Sequence, residues 1–202
     1  MTAYHPGTNI TALESISFEI PKNQLTGIVG PVGSGKSSFL ALLLNELEIK
    51  TGKIPRFSKF GYASQEPWII TGTIRDNIIM KRHFDEERYR EILRVTCLEA
   101  DLLKFPAGDM AYIGDRGITL SGGQKARVGL ARAIYEDADI YLLDDPLGRV
   151  KIATYYLSLL FQPEMFRASF FFSDTTFELQ LLLNSACQLL ISKNYAAVKK
   201  QT

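Results

Sequence analysis

Polar and apolar side chains alternate from Ser15 to Ile20 (Ser, Ile, Ser, Phe, Glu, Ile), which predicts a half-exposed strand, and Pro21 to Asn23 supplies the turn after it. Leu25 to Val29 is a short apolar run with β-branched residues, ending in Gly30 and running into a glycine-rich loop, the pattern of a buried strand. Ser38 to Glu48 reads as a helix opened by that loop, and Lys59 to Ser64 as another short strand. Further on, Tyr89, Ile92, Leu93 and Cys97 recur at helical spacing, so Asp85 is expected to cap a helix running through Leu103 in a helical lobe. Ser121 is placed to cap a second helix, Gln124 to Tyr135, and Ile140 to Leu143 forms an apolar strand that ends in two aspartates. Strand, loop, helix and strand in this order predict an α/β domain with a mainly parallel core sheet.

Composition narrows the partners more than the fold. With 202 residues, 46% of them apolar, the chain can bury one sizeable core with room for a small appended lobe. The net charge of +1 is spread along the sequence and leaves no electrostatic footprint for nucleic acid or an anionic membrane surface, so no nucleic-acid partner is expected. Cys97 and Cys187 stand outside any CxxC or Cys/His ligand spacing, suit a reducing compartment, and read as buried or inert thiols. Met1 to Thr11 has no basic stretch followed by an apolar run and is not expected to be a secretory signal. The longest uncharged stretches, Ile152 to Pro163 and Leu179 to Ser192, are too short and too polar to span a bilayer. A membrane process would need other polypeptide for its membrane part.

The candidate chemistry begins at Gly30-Pro31-Val32-Gly33-Ser34-Gly35-Lys36-Ser37, which fits the phosphate-loop pattern G-x4-G-K-[ST]. Its glycines let backbone N–H groups curl around phosphates, Lys36 reaches the terminal phosphates, and the Ser37 hydroxyl is a magnesium ligand. A strand precedes the loop and a helix follows it, as the mechanism requires, so ATP is expected on Gly30 to Ser38. Asp144 ends an apolar strand at the edge where ligands of open α/β sheets collect, and is expected to hold magnesium through water.

Leu120-Ser121-Gly122-Gly123-Gln124 resembles the signature sequence of ATP-binding-cassette proteins, and Lys125 to Ala133 continues the resemblance. Two glycines at a helix N-terminus expose N–H groups to an anion. The resemblance implies that these groups meet the γ-phosphate held on a partner cassette. Tyr62-Ala63-Ser64-Gln65-Glu66-Pro67-Trp68-Ile69 matches as well, and implies that Gln65 touches magnesium and faces a membrane domain. Together with Gly72 to Ile78, Gly114 to Thr119 and Asp144-Asp145-Pro146-Leu147, the chain from Leu13 to Leu147 is similar to the first cassette of multidrug-resistance-associated (subfamily C) transporters. That resemblance implies a P-loop NTPase fold with an antiparallel N-terminal β part and a helical signature lobe over about residues 66–135, in a domain spanning 1–147 with a divergent tail at 148–202. It further implies a second cassette and transporter membrane domains as partners, at the cytoplasmic face of a membrane. Tyr4 stands where the family places an aromatic that stacks on adenine; a stray aromatic near a terminus is the other reading. Trp68 is assigned to packing or to the surface that meets membrane helices.

The chain departs from the family pattern at three points. Asp145 stands where cassettes usually place a glutamate, the base that orients or deprotonates the attacking water. It is one methylene shorter, and a misplacement of about 1 Å there can cost on the order of a hundredfold in rate. After Leu147 the family's Ser-Ala-Leu/Val-Asp loop is replaced by Gly148-Arg149-Val150-Lys151. The family's histidine that contacts the γ-phosphate has no counterpart from Ser173 to Phe177, since His5 and His83 both lie upstream; Ala168 to Phe172 is still expected to form the strand that normally carries it. Four readings follow: a transporter cassette that binds and hydrolyses ATP, a regulatory nucleotide-holding module with little turnover, a soluble cassette ATPase, and a truncated transporter fragment. The soluble ATPase is disfavoured by the short interval between Gln65 and Ser121, which leaves no room for a coiled coil, and by the missing basic surface.

Overall fold

The computed structural model describes residues 1–18, 25–54, 59–114, 118–145 and 169–174. The expected turn at 21–23, residues 115–117 of the family match, Pro146 and Leu147, the replaced loop at 148–151, the uncharged stretches 152–163 and 179–192, and Cys187 lie outside the described residues. In chain order the elements are β1 (Thr2–Tyr4), β2 (Thr11–Leu13), β3 (Leu25–Val29), α1 (Lys36–Leu43), β4 (Glu48–Thr51), β5 (Phe60–Ala63), β6 (Gly72–Thr73) and α2 (Ile74–Ile79). They continue with α3 (Glu86–Val95), α4 (Glu99–Leu102), a short 3-10 turn (Gly108–Met110), β7 (Tyr112–Ile113), α5 (Gly122–Tyr135), β8 (Ile140–Asp144) and β9 (Ser169–Asp174).

The central sheet has the order β3-β9-β8-β5, and every neighbouring pair in it is parallel. A parallel sheet must be covered on both faces, and β8 shows how this sequence arranges it. All its residues are buried; alternate side chains Ile140 and Leu142 join the α1 core with Phe39, Leu40, Leu42 and Leu43, while Leu143 points into the core of α2, α3 and α5 with Ile74, Ile78 and Ile134. A separate antiparallel sheet, β2-β1-β4, lies against the α1 core through Ala3 and Leu13, and β6 pairs antiparallel with β7 in the helical lobe. Strand β9 comes from beyond Leu147, so the central sheet draws on both sides of that boundary. Among the described residues no helix is long and apolar enough to cross a membrane.

One expected strand does not form among the described residues and two expected helices are shorter than their pattern, each at a single non-glycine residue in the left-handed region. The strand expected from Ser15 to Ile20 is absent over its described residues 15–18, where Ser15 turns left-handed (φ 51°); Met1 and Ile16 still exchange both backbone bonds, at 2.8 and 2.9 Å, and the strand of this segment is β2 instead. The helix expected to reach Glu48 stops at Leu43, because Asn45 (φ 63°) turns left-handed and the N–H groups of Asn45 and Glu46 close on the carbonyls of Leu42 and Ala41. Glu48 begins β4. The helix expected from Asp85 to Leu103 is split in the same way: Cys97 (φ 57°) and Leu98 donate back to Arg94 and Leu93, ending α3 before α4 starts. Both helix ends are Schellman closures, and the second carries the usual apolar contact in the buried pair Leu93 and Leu98. Cys97 is half-buried; burial first, with Asp101 and Glu99, outweighs Arg127 and pushes its thiol up, away from the reactive thiolate.

Candidate nucleotide-binding site

The loop after β3 is shaped by backbone rather than by side chains. Gly33 (φ 80°) and Gly35 (φ 91°) take left-handed conformations that a side chain would strain. Gly35 is also the N-cap of α1 and provides no side-chain cap, so the first N–H groups of that helix stay available to an anion. Lys36 is buried and its ammonium folds back over the loop, donating to the carbonyls of Gly30 (2.8 Å) and Pro31 (3.0 Å). The buried Ser34 Oγ has no hydrogen-bond partner among the described residues and fills the space a Cβ on Gly30 would enter, at 2.7 Å. An orphaned buried hydroxyl beside a bare helix N-terminus fits a loop that awaits phosphate oxygens. Val32, at the loop's tip, is exposed, Pro31 likewise, and Ser38 is half-buried in the first turn of α1.

The Ser37 hydroxyl donates to Asp144 Oδ1 at 3.2 Å, across a sequence separation of 107. Topology makes this contact: β9 lies between β3 and β8, pairing Asp174 with Val29 and Ser173 with Asp144, so both flanking strands end at one sheet edge. At that edge β5 also ends, two residues before Gln65, whose Nε2 donates to Asp145 Oδ2 at 3.3 Å. Asp145 is half-buried and held at φ 50°, an uncommon conformation for a non-glycine residue and of the kind found at functional sites. Burial first, then the charges of Asp144 and Glu46, push the Tyr62 phenol up. Among the described residues no three His, Cys, Asp or Glu side chains gather into a metal-holding group. A hard divalent cation between Ser37 and Asp144 would therefore complete its shell with phosphate and water, as magnesium commonly does. The structure thus brings together Gly30 to Ser38, Asp144, Asp145 and Gln65. Tyr4 lies in β1 of the antiparallel sheet, where the Lys50 ammonium is 4.3 Å from its ring centroid.

The signature residues begin α5. Ser121 Oγ accepts from Gln124 N (3.3 Å) while Gln124 Oε1 accepts from Ser121 N (2.8 Å), a capping box that fixes the helix start; Ser121 and Gly122 remain exposed, and a Cβ on Gly122 would meet nothing. Gln124 Nε2 reaches on to Asp101 Oδ1 at 3.3 Å, fastening this turn to the helical lobe.

Sequence reasoning passed over the side chains that join these parts. Arg132 is buried on α5 and donates to Trp68 O (2.9 Å), Asn77 O (2.7 Å) and Asn77 Oδ1 (3.1 Å), with the Trp68 ring 4.0 Å from its guanidinium. Burial, and secondarily Arg82, hold its pKa below the ordinary arginine value. Gly129, one turn earlier, packs so closely that a Cβ would lie 2.8 Å from Pro67. The helix that opens with Ser121 to Gln124 thus grips the segment just after Gln65. The available signal was a charged residue inside the run from Val128 to Tyr135, all of which is buried.

A family model described as "ABC transporter" matches residues 13–148. The chain is 49% identical over 138 residues to "ATP-binding cassette sub-family C member 4" of Homo sapiens, covering 68% of this chain and 10% of that protein, with the same figures for the Mus musculus protein. It is 50% identical over 138 residues to "ABC transporter C family member 12" of Dictyostelium discoideum, again covering 68% of this chain and 10% of the relative. The chain therefore spans about a tenth of the length of the curated relatives it matches.

Proposed function

The chain belongs to the ABC transporter family as an ATP-binding domain of the subfamily C type, and from that premise we propose that it holds magnesium-ATP on Gly30 to Ser38, with Ser37, Asp144 and Gln65 about the cation. The observation that carries the proposal is the 3.2 Å approach of the Ser37 hydroxyl to Asp144, two oxygen ligands of the hard type that magnesium selects, at the mouth of a glycine loop containing Lys36. The Ser34 hydroxyl, unpartnered among the described residues, and the uncapped start of α1 supply donors for phosphate oxygens. Bound there, the cation would offset phosphate charge and polarise the terminal phosphate.

Turnover by the chain alone is expected to be very slow or absent. Asp145 is the residue at the position of the base, and its carboxylate is engaged by Gln65 at 3.3 Å. The groups that close over the γ-phosphate in the family come from a partner's signature and from a histidine; this chain's own histidines are His5 and His83. Binding needs only ground-state contacts, whereas hydrolysis needs groups aimed at charge developing in the transition state. Ser121 to Gln124 would in turn complete the nucleotide site of a second cassette, in an assembly whose membrane domains move solute at the cytoplasmic face of a membrane. The division into a domain at 1–147 and a tail at 148–202 belongs to this reading as well, with β9 returned from the tail to the sheet.

Calorimetric titration of the chain with magnesium-ATP, beside Lys36→Ala, tests the binding. Unchanged affinity in the variant would remove the loop from the site. Phosphate release measured alone and with an equimolar intact cassette carrying both glutamate and histidine tests the rest. Near-background release alone and a gain with the partner are expected; robust release by the chain alone, abolished by Lys36→Ala, would make Asp145 a competent base.

A further inference from the structure

Outside the nucleotide site, Asp101 is a buried carboxylate (4% exposed) in α4, and its bonds converge on the start of α5. Its Oδ2 accepts from both Arg127 Nε and Arg127 Nη2 at 2.6 Å, and its Oδ1 from Gln124 Nε2 and Lys104 Nζ at 3.3 Å. Gln124 and Arg127 are three apart on the helix, hence neighbours on one face, so a single carboxylate ties down the first two turns of α5. The Gln124 side chain works at both ends, donating to Asp101 while its Oε1 accepts the Ser121 amide at 2.8 Å. We propose that Asp101 is a positioning residue for the signature, acting through Gln124 and Arg127 to hold the capping box of Ser121 and Gln124, and with it the N–H groups of Gly122 and Gly123, in the orientation a partner's phosphate requires. The proposal rests on the reading of Ser121 to Gln124 as a partner-facing phosphate contact.

The chemistry of the cluster favours positioning over simple cohesion. A buried ion pair contributes little beyond what well-packed apolar residues of similar size would, so α4 could be fastened to α5 without any charge. What apolar packing cannot supply is a directed acceptor for Gln124 Nε2, and through it a fixed place for the oxygen that caps the Ser121 amide. The phosphate loop takes no part in these bonds, so the chain's own nucleotide binding serves as an internal reference.

The test uses the full chain and two variants, Asp101→Asn and the double substitution Asp101→Leu with Arg127→Leu. Amide hydrogen exchange is followed at Ser121 and Gln124, with Phe39, bonded to Gly35 O at 2.8 Å, as reference. Exchange at Ser121 and Gln124 should rise by about tenfold in Asp101→Asn while Phe39 and the ATP affinity stay within about twofold, tenfold being the loss of roughly one hydrogen bond. The double variant should melt as the wild type does and still exchange fast at the signature. Stimulation of an intact partner cassette's phosphate release should fall in both variants by a similar factor. Unchanged exchange in Asp101→Asn, or full recovery of slow exchange in the double variant, would overturn the proposal by showing a cohesive role only. A wild-type chain that binds ATP but fails to stimulate the partner would instead sink the signature reading, and the exchange data would still decide what Asp101 does.

Discussion

The edge of the central sheet and the helical lobe handle polar groups in opposite ways. In the loop at the sheet edge some are left unmet: Ser34 Oγ has no partner among the described residues and α1 begins without a side-chain cap, while Lys36 turns back onto loop carbonyls. In the lobe two buried side chains are bonded throughout, although Arg88 Nε and the Tyr89 hydroxyl on α3 have no hydrogen-bond partner among the described residues. Asn77, fully buried, uses its carbonyl oxygen for Ile70 N and Arg132 and its amide for Ile70 O and Thr73 O, while Asp101 accepts from Gln124, Arg127 and Lys104. Unmet donors beside a bare helix start suit a surface completed by ligand; the bonded networks of Asn77 and Asp101 suit an element that must present its N-terminus rigidly.

The most severe way to break the contrast is Asn77→Ala. Truncation strands the buried backbone groups of Ile70 and Thr73 and removes one of the three oxygens to which the buried Arg132 cation donates, so a loss of about 3–5 kcal/mol is expected. Urea unfolding reads it, and a loss below about 1 kcal/mol would mean that the lobe does not depend on this network. Lys36→Ala should do the reverse. Without nucleotide its melting should stay close to wild type, because only contacts to loop carbonyls are removed. With ATP at a hundred times the wild-type Kd, the wild type should gain about 2.7 kcal/mol and the variant almost none. A similar gain in both would detach the loop from the ligand.

The seam between the two regions is sharpened by glycine. A Cβ on Gly61 in β5 would sit 2.4 Å from the Tyr141 ring and 2.5 Å from the backbone oxygen of Ala133, neither of which is a flexible side-chain end. Gly61→Ala should cost about 1–3 kcal/mol by thermal melt. Gly129→Ala meets only Pro67, and the helix gain of about 1 kcal/mol for alanine over glycine offsets much of the clash, so its net change should be smaller. Equal losses would show that Pro67 cannot give way.

The smallest effect separates two caps by pH. The capping box of α2 uses Asp76, whose carboxyl the Thr73 hydroxyl and amide hold below the ordinary aspartate range, whereas that of α5 uses the neutral Gln124. A carboxyl with a depressed folded pKa contributes stability that is present above its unfolded pKa and fades as pH falls through the folded one. The cost of Asp76→Ala, a few tenths of a kcal/mol after solvent screening, should therefore vanish in acid. The cost of Ser121→Ala, about 1 kcal/mol, should not. Measuring both by denaturation at neutral pH and near pH 2 checks the sign; a cost for Asp76→Ala that persists in acid would refute it.

Much of the site was legible because its chemistry is local. The strand at Leu25 to Val29, the glycine loop that follows and the Ser121 cap depend on residues within a turn of one another, and the structure shows these elements at or near the expected bounds. The expected strands at Lys59 to Ser64 and Ile140 to Leu143 appear as β5 and β8, and Ala168 to Phe172 contributes to β9. Element ends were less legible. Ser15, Asn45 and Cys97 look like ordinary members of their periodic runs, and their left-handed conformations follow from where the next segment must go.

The sequence by itself determined which residues can meet phosphate and cation, because glycine freedom, a lysine and a hydroxyl at fixed spacing are properties of a few consecutive residues. Only the tertiary structure decided that β9 would slip between β3 and β8, bringing Ser37 within 3.2 Å of Asp144. It alone also decided that Asp101, Asn77 and Arg132 would be buried and joined to partners far along the chain. The physical reason is that burying a charge or an amide is favourable only when its partners arrive with it, and those partners are supplied by packing between segments that no local pattern connects.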